Sequence, residues 1–256
     1  MISNRQNDWE IKRYVNEDAT VPTIYEFIVA IAWYYISDKK ISVYDSLNLT
    51  LNGDLEPVIH AGGGILLAQA SAELAALAEF LDIPISRTLM GQGCVSDLHP
   101  LMVGQTGFWG IAHTHAFTLN ADIILALGTR FAEADSSSWY QGVTFDPTKT
   151  KFLQIDIDPT EIGRNYPVEI GAVADLKLAL AQILEAAKAI KPEGIKRPGL
   201  REGIAKAKAE FKESVKAITE DLRFPMTPQR ILKDVKEVSR RKSPISRVVP
   251  SRENFN

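Results

Sequence analysis

What this chain lacks limits it before any motif is read. One cysteine, Cys94, occurs in 256 residues, so no disulfide can close within the chain and a reducing compartment, the cytoplasm, is the expected setting. No apolar run approaches the roughly 20 residues that a bilayer span needs. The most apolar stretch near the start, residues 24–36, is short and carries Glu26, so no membrane association is expected. The N-terminus is polar and acidic rather than basic and then apolar, and no secretory signal is read there. There is no internal repeat. The full Gly-x-Gly-x-x-Gly pattern is missing, and Ser136-Ser137-Ser138 lacks the glycine frame of a nucleophile elbow.

Charge is the next constraint. The net charge of −3 conceals an asymmetry, with a net −8 over residues 55–190 against +8 over 191–256. A basic tail raises nucleic acid as a partner. Here acids interrupt the bases, as in Lys206-Ala-Lys208-Ala-Glu210-Phe-Lys212-Glu213. The unbroken basic stripe that phosphate binding favours is absent, so no nucleic acid is expected and docking on an acidic surface is the better reading.

The chain divides by texture into four parts. Residues 1–54 hold an excess of aromatics, with a helix expected near 22–37 and a strand near 40–44. Residues 55–190 alternate short apolar runs with Ala/Leu-rich helical patterns, the signature of βαβ units and a parallel sheet. Strands are expected at Pro57–His60, Ile85–Thr88, Asp122–Leu127, Lys151–Ile157 and Ile170–Val173. One helix is expected over 67–81, with Leu67, Ala70, Leu74, Leu77 and Leu81 on its apolar face. A second should start after Asp175, a good N-cap, and bury Leu176, Leu178, Leu180 and Ile183. Residues 191–242 read as a linker marked by Pro192, Gly194, Pro198 and Gly199, then a charged helix over 200–222 and a last helix over 228–240. Thr227 is placed to cap that last helix, with Pro228 at its first position. Residues 243–256 read as disordered.

Several positions carry candidate chemistry. Gly62-Gly63-Gly64 lies between a strand and a helix, where glycines let a backbone approach a phosphate; a plain tight turn explains them equally well. The run Asp122-Ile-Ile-Leu-Ala-Leu-Gly128-Thr129-Arg130-Phe131 ends a buried strand in a guanidinium at the carboxyl edge of a parallel sheet, where ligands bind. Arg130 suits a diphosphate, since its planar fork donates two hydrogen bonds at once; the alternative is an ion pair with Asp156 or Glu133. Asp156 and Asp158 are two residues apart on an extended strand end. They are positioned to accept ribose hydroxyls, to cap the following turn or, with less support from their surroundings, to hold a metal. His113 and His115 fall on different faces of a helix start, so concerted acid–base work is not expected, but His113 is placed to face a ligand beside Gly107–Gly110. Cys94 reads as a structural thiol.

Taken together these blocks resemble the central domain of thiamine-diphosphate-dependent enzymes of the acetolactate synthase type. The resemblance runs in order through Pro57-Val-Ile-His-Ala-Gly-Gly-Gly64, Ile83–Gly93, His99-Pro-Leu-Met-Val-Gly104, Gly107-Phe-Trp-Gly110, Ala121–Phe131 and Ile155-Asp-Ile-Asp-Pro-Thr-Glu-Ile-Gly-Arg-Asn165. It covers about half the chain, and Pro225-Met-Thr-Pro-Gln-Arg-Ile-Leu232 also resembles the lead into the family's next domain. The fold it implies is α/β, a doubly wound, mainly parallel Rossmann-like sheet with a helical C-terminal extension. The implied activity is 2-oxo-acid carboligation on thiamine diphosphate with magnesium, both held in the intact enzyme by outer domains that this sequence does not resemble. In acetolactate synthases the central domain holds FAD. By resemblance its contacts here are Gly62, Gly63, Gly107, Gly110, Thr129, Arg130, Asp156, Asp158 and Asp175. FAD-keeping relatives often follow the Arg-Phe pair with Asp-Asp-Arg, whereas this chain has Ala132-Glu133-Ala134. The expected partners are a second copy of the chain or a chain carrying the missing domains, with no catalysis by this chain alone. A non-catalytic FAD- or adenine-nucleotide-binding, partner-docking module is the alternative.

Overall fold

The computed structural model describes residues 56–242, which divide after Ile204 into two units taken separately below. Strand β1 (Pro57–Ala61) is buried at every position, as expected for a central strand covered on both faces. It is followed by a short helix α1 (Gly64–Leu67), helix α2 (Ser71–Leu81), β2 (Ile85–Arg87), β3 (Met102–Gln105), α3 (Ala112–Asn120) and β4 (Ile123–Leu127). Then come β5 (Lys151–Asp156), β6 (Ile170–Val173) and α4 (Leu176–Ile190). The six strands lie in the order β3-β2-β1-β4-β5-β6, and every pairing is parallel. Chain direction therefore reverses its march between β1 and β4, and a crevice is left beyond their carboxyl ends. No helix among the described residues is long and apolar enough to cross a membrane.

Side chains alternate between the two faces of each strand, and the faces differ in chemistry. Ile59, Ala61, Leu127 and Ile155 join an aliphatic core with Leu74 and Leu77 of α2 and Leu176, Leu180 and Ile183 of α4. Val58, Ile124, Ala126 and Phe152 face the other way into an aromatic cluster with Phe131, Phe145 and Tyr166. Each fully buried aliphatic or aromatic side chain here contributes about 1.5–3 kcal/mol relative to exposure.

Four elements differ from expectation. Strand β3 falls where only loop was expected, because it holds two apolar residues before Gly104, whose φ is +133°. The helix expected over 67–81 is broken: α1 ends at Leu67, Gln69 takes a φ of +53°, and α2 begins at Ser71. Leu67 is accordingly 88% exposed and off the apolar face. Leu178 is exposed too, while its backbone N–H receives the expected Asp175 cap at 3.0 Å. The charged helix expected over 200–222 is α5 (Leu200–Ser214) followed by a single turn, α6 (Lys216–Thr219).

A strap formed by residues 194–201 closes the amino edge of the sheet. Asp82 ends α2 in the left-handed region, at φ +50°. Its buried carboxylate accepts the Arg197 N–H at 2.8 Å and the Arg201 guanidinium at 2.9–3.0 Å. Arg197 in turn donates to the carbonyls of Leu81 and Asp82.

The second unit begins within α5. Its α7 (Pro228–Lys242) starts with Pro228, and Thr227 Oγ1 accepts the Arg230 N–H at 3.2 Å, as the sequence predicts. Lys233 of α7 meets Glu220 at 3.2 Å, just beyond α6. The helix and strand expected before residue 45, and the disorder expected beyond residue 242, lie outside the described residues.

Candidate functional site

The carboxyl ends of β1, β4, β5 and β6 bring most of the sequence-predicted residues to one edge. Gly62 N–H donates to the Leu127 carbonyl at 2.9 Å, and Gly64 N–H to that of Gly128 at 3.1 Å. The loops after β1 and β4 therefore cross in backbone contact, and a Cβ on Gly62 would collide with the Gly128 carbonyl. Gly62 is needed for this approach of two backbone segments. Gly63 is half-buried, and a Cβ there would meet Met90 first, at 3.2 Å. Gly107, at φ +85°, packs on the Ala134 carbonyl, and Gly110 packs on the Gly107 carbonyl and the His115 ring. At both positions a side chain would collide with these neighbours, so each requires glycine.

Thr129 and Arg130 follow β4. Thr129 is buried, and its hydroxyl accepts the Phe131 N–H at 3.3 Å. Arg130 is exposed and forms no ion pair among the described residues. The pairing with Asp156 or Glu133 that the sequence left open is not made; Glu133 instead accepts the Ser138 hydroxyl at 3.1 Å. Asp156 ends β5 and uses one carboxylate oxygen on the Asp158 N–H at 3.0 Å. Asp175 uses one on the Leu178 N–H. Each keeps a second oxygen without a protein donor among the described residues. Asp158 is a turn cap: one oxygen accepts both the Thr160 N–H at 2.8 Å and its hydroxyl at 2.7 Å. Those two bonds hold its carboxyl below the usual carboxylate range.

The segment after Phe131 crosses to the loops that follow β2 and β3. Leu89 N–H donates to Asp135 Oδ1 at 2.9 Å, the Thr106 hydroxyl to the Asp135 carbonyl at 3.1 Å, and Phe108 N–H to the Ala134 carbonyl at 2.9 Å. Gly107 is thereby carried to the same edge. Ser137, Ser138 and Trp139 all have positive φ, near 50–60°, a run that non-glycine residues avoid at roughly 1–2 kcal/mol each. It is held by the Ser137–Thr144 hydroxyl bond at 2.8 Å and by the indole N–H of Trp139, which donates to the Phe131 carbonyl at 2.7 Å.

The histidines fall differently from expectation. His113 donates from Nε2 to the Val103 carbonyl at 3.0 Å and so anchors α3 to β3; His115, not His113, lies beside Gly110. Burial lowers the His115 pKa. His60, which sequence reasoning passed over, is fully buried against Phe131 and Phe145. The Ser86 hydroxyl donates to the Ile59 carbonyl, so His60 Nδ1–H donates to Ser86 at 3.0 Å and Nε2 is left without a partner. Desolvation lowers its pKa to about 3, which keeps the ring neutral. Burial pushes the Tyr166 phenol up to about 12 and raises the Cys94 thiol, which is buried in the aliphatic core. No group of three His, Cys, Asp or Glu side chains gathers at metal-binding distance among the described residues.

Gln154 and Asn165 were also missed. The buried Gln154 amide donates to the carbonyls of Thr129 and Glu161 and accepts the Gly163 N–H, each at 3.0 Å. Asn165 Nδ2 donates to the Arg130 carbonyl at 2.7 Å and the Phe131 carbonyl at 3.2 Å.

Comparison with known proteins bears on this edge. The family described as "Thiamine pyrophosphate enzyme, central domain" matches residues 47–183. A second family, the AlwI restriction endonuclease, matches residues 2–66, almost wholly outside the described residues. A probable acetolactate synthase large subunit from Methanococcus aeolicus is 34% identical over 186 residues, covering 71% of this chain and 30% of the relative. One from Methanocaldococcus jannaschii is 37% identical over 182 residues, 71% of this chain and 29% of the relative. The glyoxylate carboligase of Escherichia coli O157:H7 is 35% identical over 181 residues, 70% of this chain and 29% of its own length. The chain thus spans less than a third of the length of the relatives it matches.

Proposed function

The chain belongs to the thiamine pyrophosphate enzyme central-domain family, and from that premise we propose that it is the central region of a 2-oxo-acid carboligase of the acetolactate synthase kind. Its own part is to bind the adenosine diphosphate half of FAD at the carboxyl edge of the sheet. The observation that carries this is Arg130: an exposed guanidinium with no ion pair among the described residues, at the topological switch point. A planar fork left unpaired at this position is matched to a diphosphate.

The surrounding donors and acceptors fit such a group. The free oxygens of Asp156 and Asp175 are available to ribose hydroxyls, and Gly63 leaves its backbone approachable. Leu89, Met90, Phe108, Trp109 and Ile157 are exposed around this edge, an apolar surface that an isoalloxazine ring or a further domain would cover. Gly62, Gly107 and Gly110 let the loops of this edge approach one another, and Asp158 shapes its turn. Bound flavin would serve to order these loops, and the carboligation itself would be supplied by thiamine diphosphate and magnesium held elsewhere in the intact enzyme.

On this reading the residues of this edge serve the nucleotide and not the activation of thiamine. The 256-residue chain taken by itself is therefore expected to give no acetolactate when supplied with pyruvate, thiamine diphosphate and magnesium, and activity is expected only with a chain carrying the remaining domains. Turnover by the purified chain alone would sink this part of the reading. Two copies of the chain, or one copy and such a partner, are the proposed assemblies, in the cytoplasm.

A further inference from the structure

We infer that Asn165 is the positioning residue for Arg130, fixing where the guanidinium stands without itself touching a ligand. This rests on the proposed nucleotide site and adds to it a residue from another loop. The backbone that carries Arg130 is not in a relaxed conformation: Gly128 and Phe131 both have positive φ, at +57° and +49°. A phenylalanine in the left-handed region persists only where its surroundings over-determine it.

Three donors do so, from three different parts of the chain. Gln154 Nε2 holds the Thr129 carbonyl at 3.0 Å, Trp139 Nε1 holds that of Phe131 at 2.7 Å, and Asn165 Nδ2 bridges the carbonyls of Arg130 and Phe131 at 2.7 and 3.2 Å. Asn165 alone among these holds the carbonyl of Arg130 itself. Its amide ties together the two successive peptide groups that flank the Phe131 Cα, so it fixes the backbone dihedrals of Phe131 and with them the plane of the Arg130–Phe131 peptide from which Arg130 departs. The Arg130 side chain leaves from the residue so held and reaches solvent without an ion pair among the described residues. Glu133 and Asp156, the nearest carboxylates by sequence and by strand end, hold a hydroxyl and a backbone N–H instead. Releasing the peptide would free Arg130 to seek such carboxylates, and the entropy of reordering it would then fall on ligand binding.

The test is a double-mutant cycle on the full chain, with FAD followed by flavin fluorescence and ADP by calorimetry. Arg130→Ala should weaken binding about ten- to hundredfold, the worth of a charge-assisted bond. Asn165→Ala should weaken it by roughly five- to tenfold in wild type and leave the Arg130→Ala background unchanged, because its effect passes through the guanidinium. Asn165→Asp, which sets a carboxylate against two carbonyls, should lose more than Asn165→Ala.

Additive losses in the double variant would reduce Asn165 to a general structural contact and overturn the inference. If Arg130→Ala changes neither affinity, the nucleotide reading fails. The positioning claim is then judged in the ligand-free protein by hydrogen exchange of the peptide spanning 128–132. Faster exchange there in Asn165→Ala, with the thermal midpoint of the variant kept, upholds it; unchanged exchange refutes it.

Discussion

At the amino edge of the sheet a buried carboxylate is met by a guanidinium and a backbone N–H, whereas at the carboxyl edge a guanidinium stands without an ion pair among the described residues. Asp82 is buried and meets Arg201 and the backbone of Arg197, whose own guanidinium is taken by two carbonyls. Arg130, at the other end of the same sheet, has no ion pair among the described residues, and apolar side chains stand exposed around it. The cavity of about 320 Å³ at the amino edge, lined in part by Pro57, Val58, Pro84 and Leu200, does not alter the contrast, since its walls are mainly apolar. The difference separates stability from binding. Charges that are paired and covered hold the linker to the domain; an unpaired one at a switch point is what the proposed nucleotide site calls for.

Breaking the amino edge should have the largest effect. Asp82→Ala leaves the Arg197 backbone N–H without its acceptor and the Arg201 guanidinium without its carboxylate, and should lower stability by about 3 kcal/mol. Thermal unfolding measures this, and a loss below roughly 1 kcal/mol would mean that the strap is ornamental. The next effect is of pH and comes from between the edges. His60 has a folded pKa near 3 against an ordinary 6.5, so below pH 6.5 the unfolded chain binds the extra proton and the native chain does not. Stability from this group is full above pH 6.5 and is lost as pH falls toward 3, amounting to about 2 kcal/mol between pH 7 and pH 5. His60→Gln should flatten that dependence in denaturant titrations; a slope unchanged by the substitution would place the proton elsewhere. Arg130→Ala should have the smallest effect on stability, within about 0.5 kcal/mol, although it acts at the proposed site.

The sequence made the sheet legible where strands were long and apolar, and blurred it where they were not. Ile123–Leu127 and Lys151–Asp156 announce themselves, and so does Asp175 as a cap. Met102–Gln105 does not, because Gly104 reads as loop and the strand exists only through pairing with β2. The same limit applies at the site. Arg130 could be singled out because it ends a buried strand, a local signal. The groups that hold its backbone could not, since Asn165 and Gln154 are ordinary polar residues 35 and 25 positions away from the carbonyls they meet. Asp82 read as punctuation between helix and strand; its partner Arg197 lies 115 residues on. Gly107 and Gly110 are conspicuous in sequence, and the close approach each makes, to Ala134 and to His115, was not readable from their spacing. Residues 1–54, rich in aromatics and matched in part to another family, carry no legible link to the site.

The claim most open to direct measurement is that the carboxyl edge holds a nucleotide. Titrating the purified chain with FAD, beside Arg130→Ala and with thiamine diphosphate as control, tests it in one experiment. Saturable quenching of flavin fluorescence by wild type, weakened at least tenfold in Arg130→Ala and not displaced by excess thiamine diphosphate, is the predicted result. No saturable binding of FAD, or binding indifferent to Arg130, would contradict it.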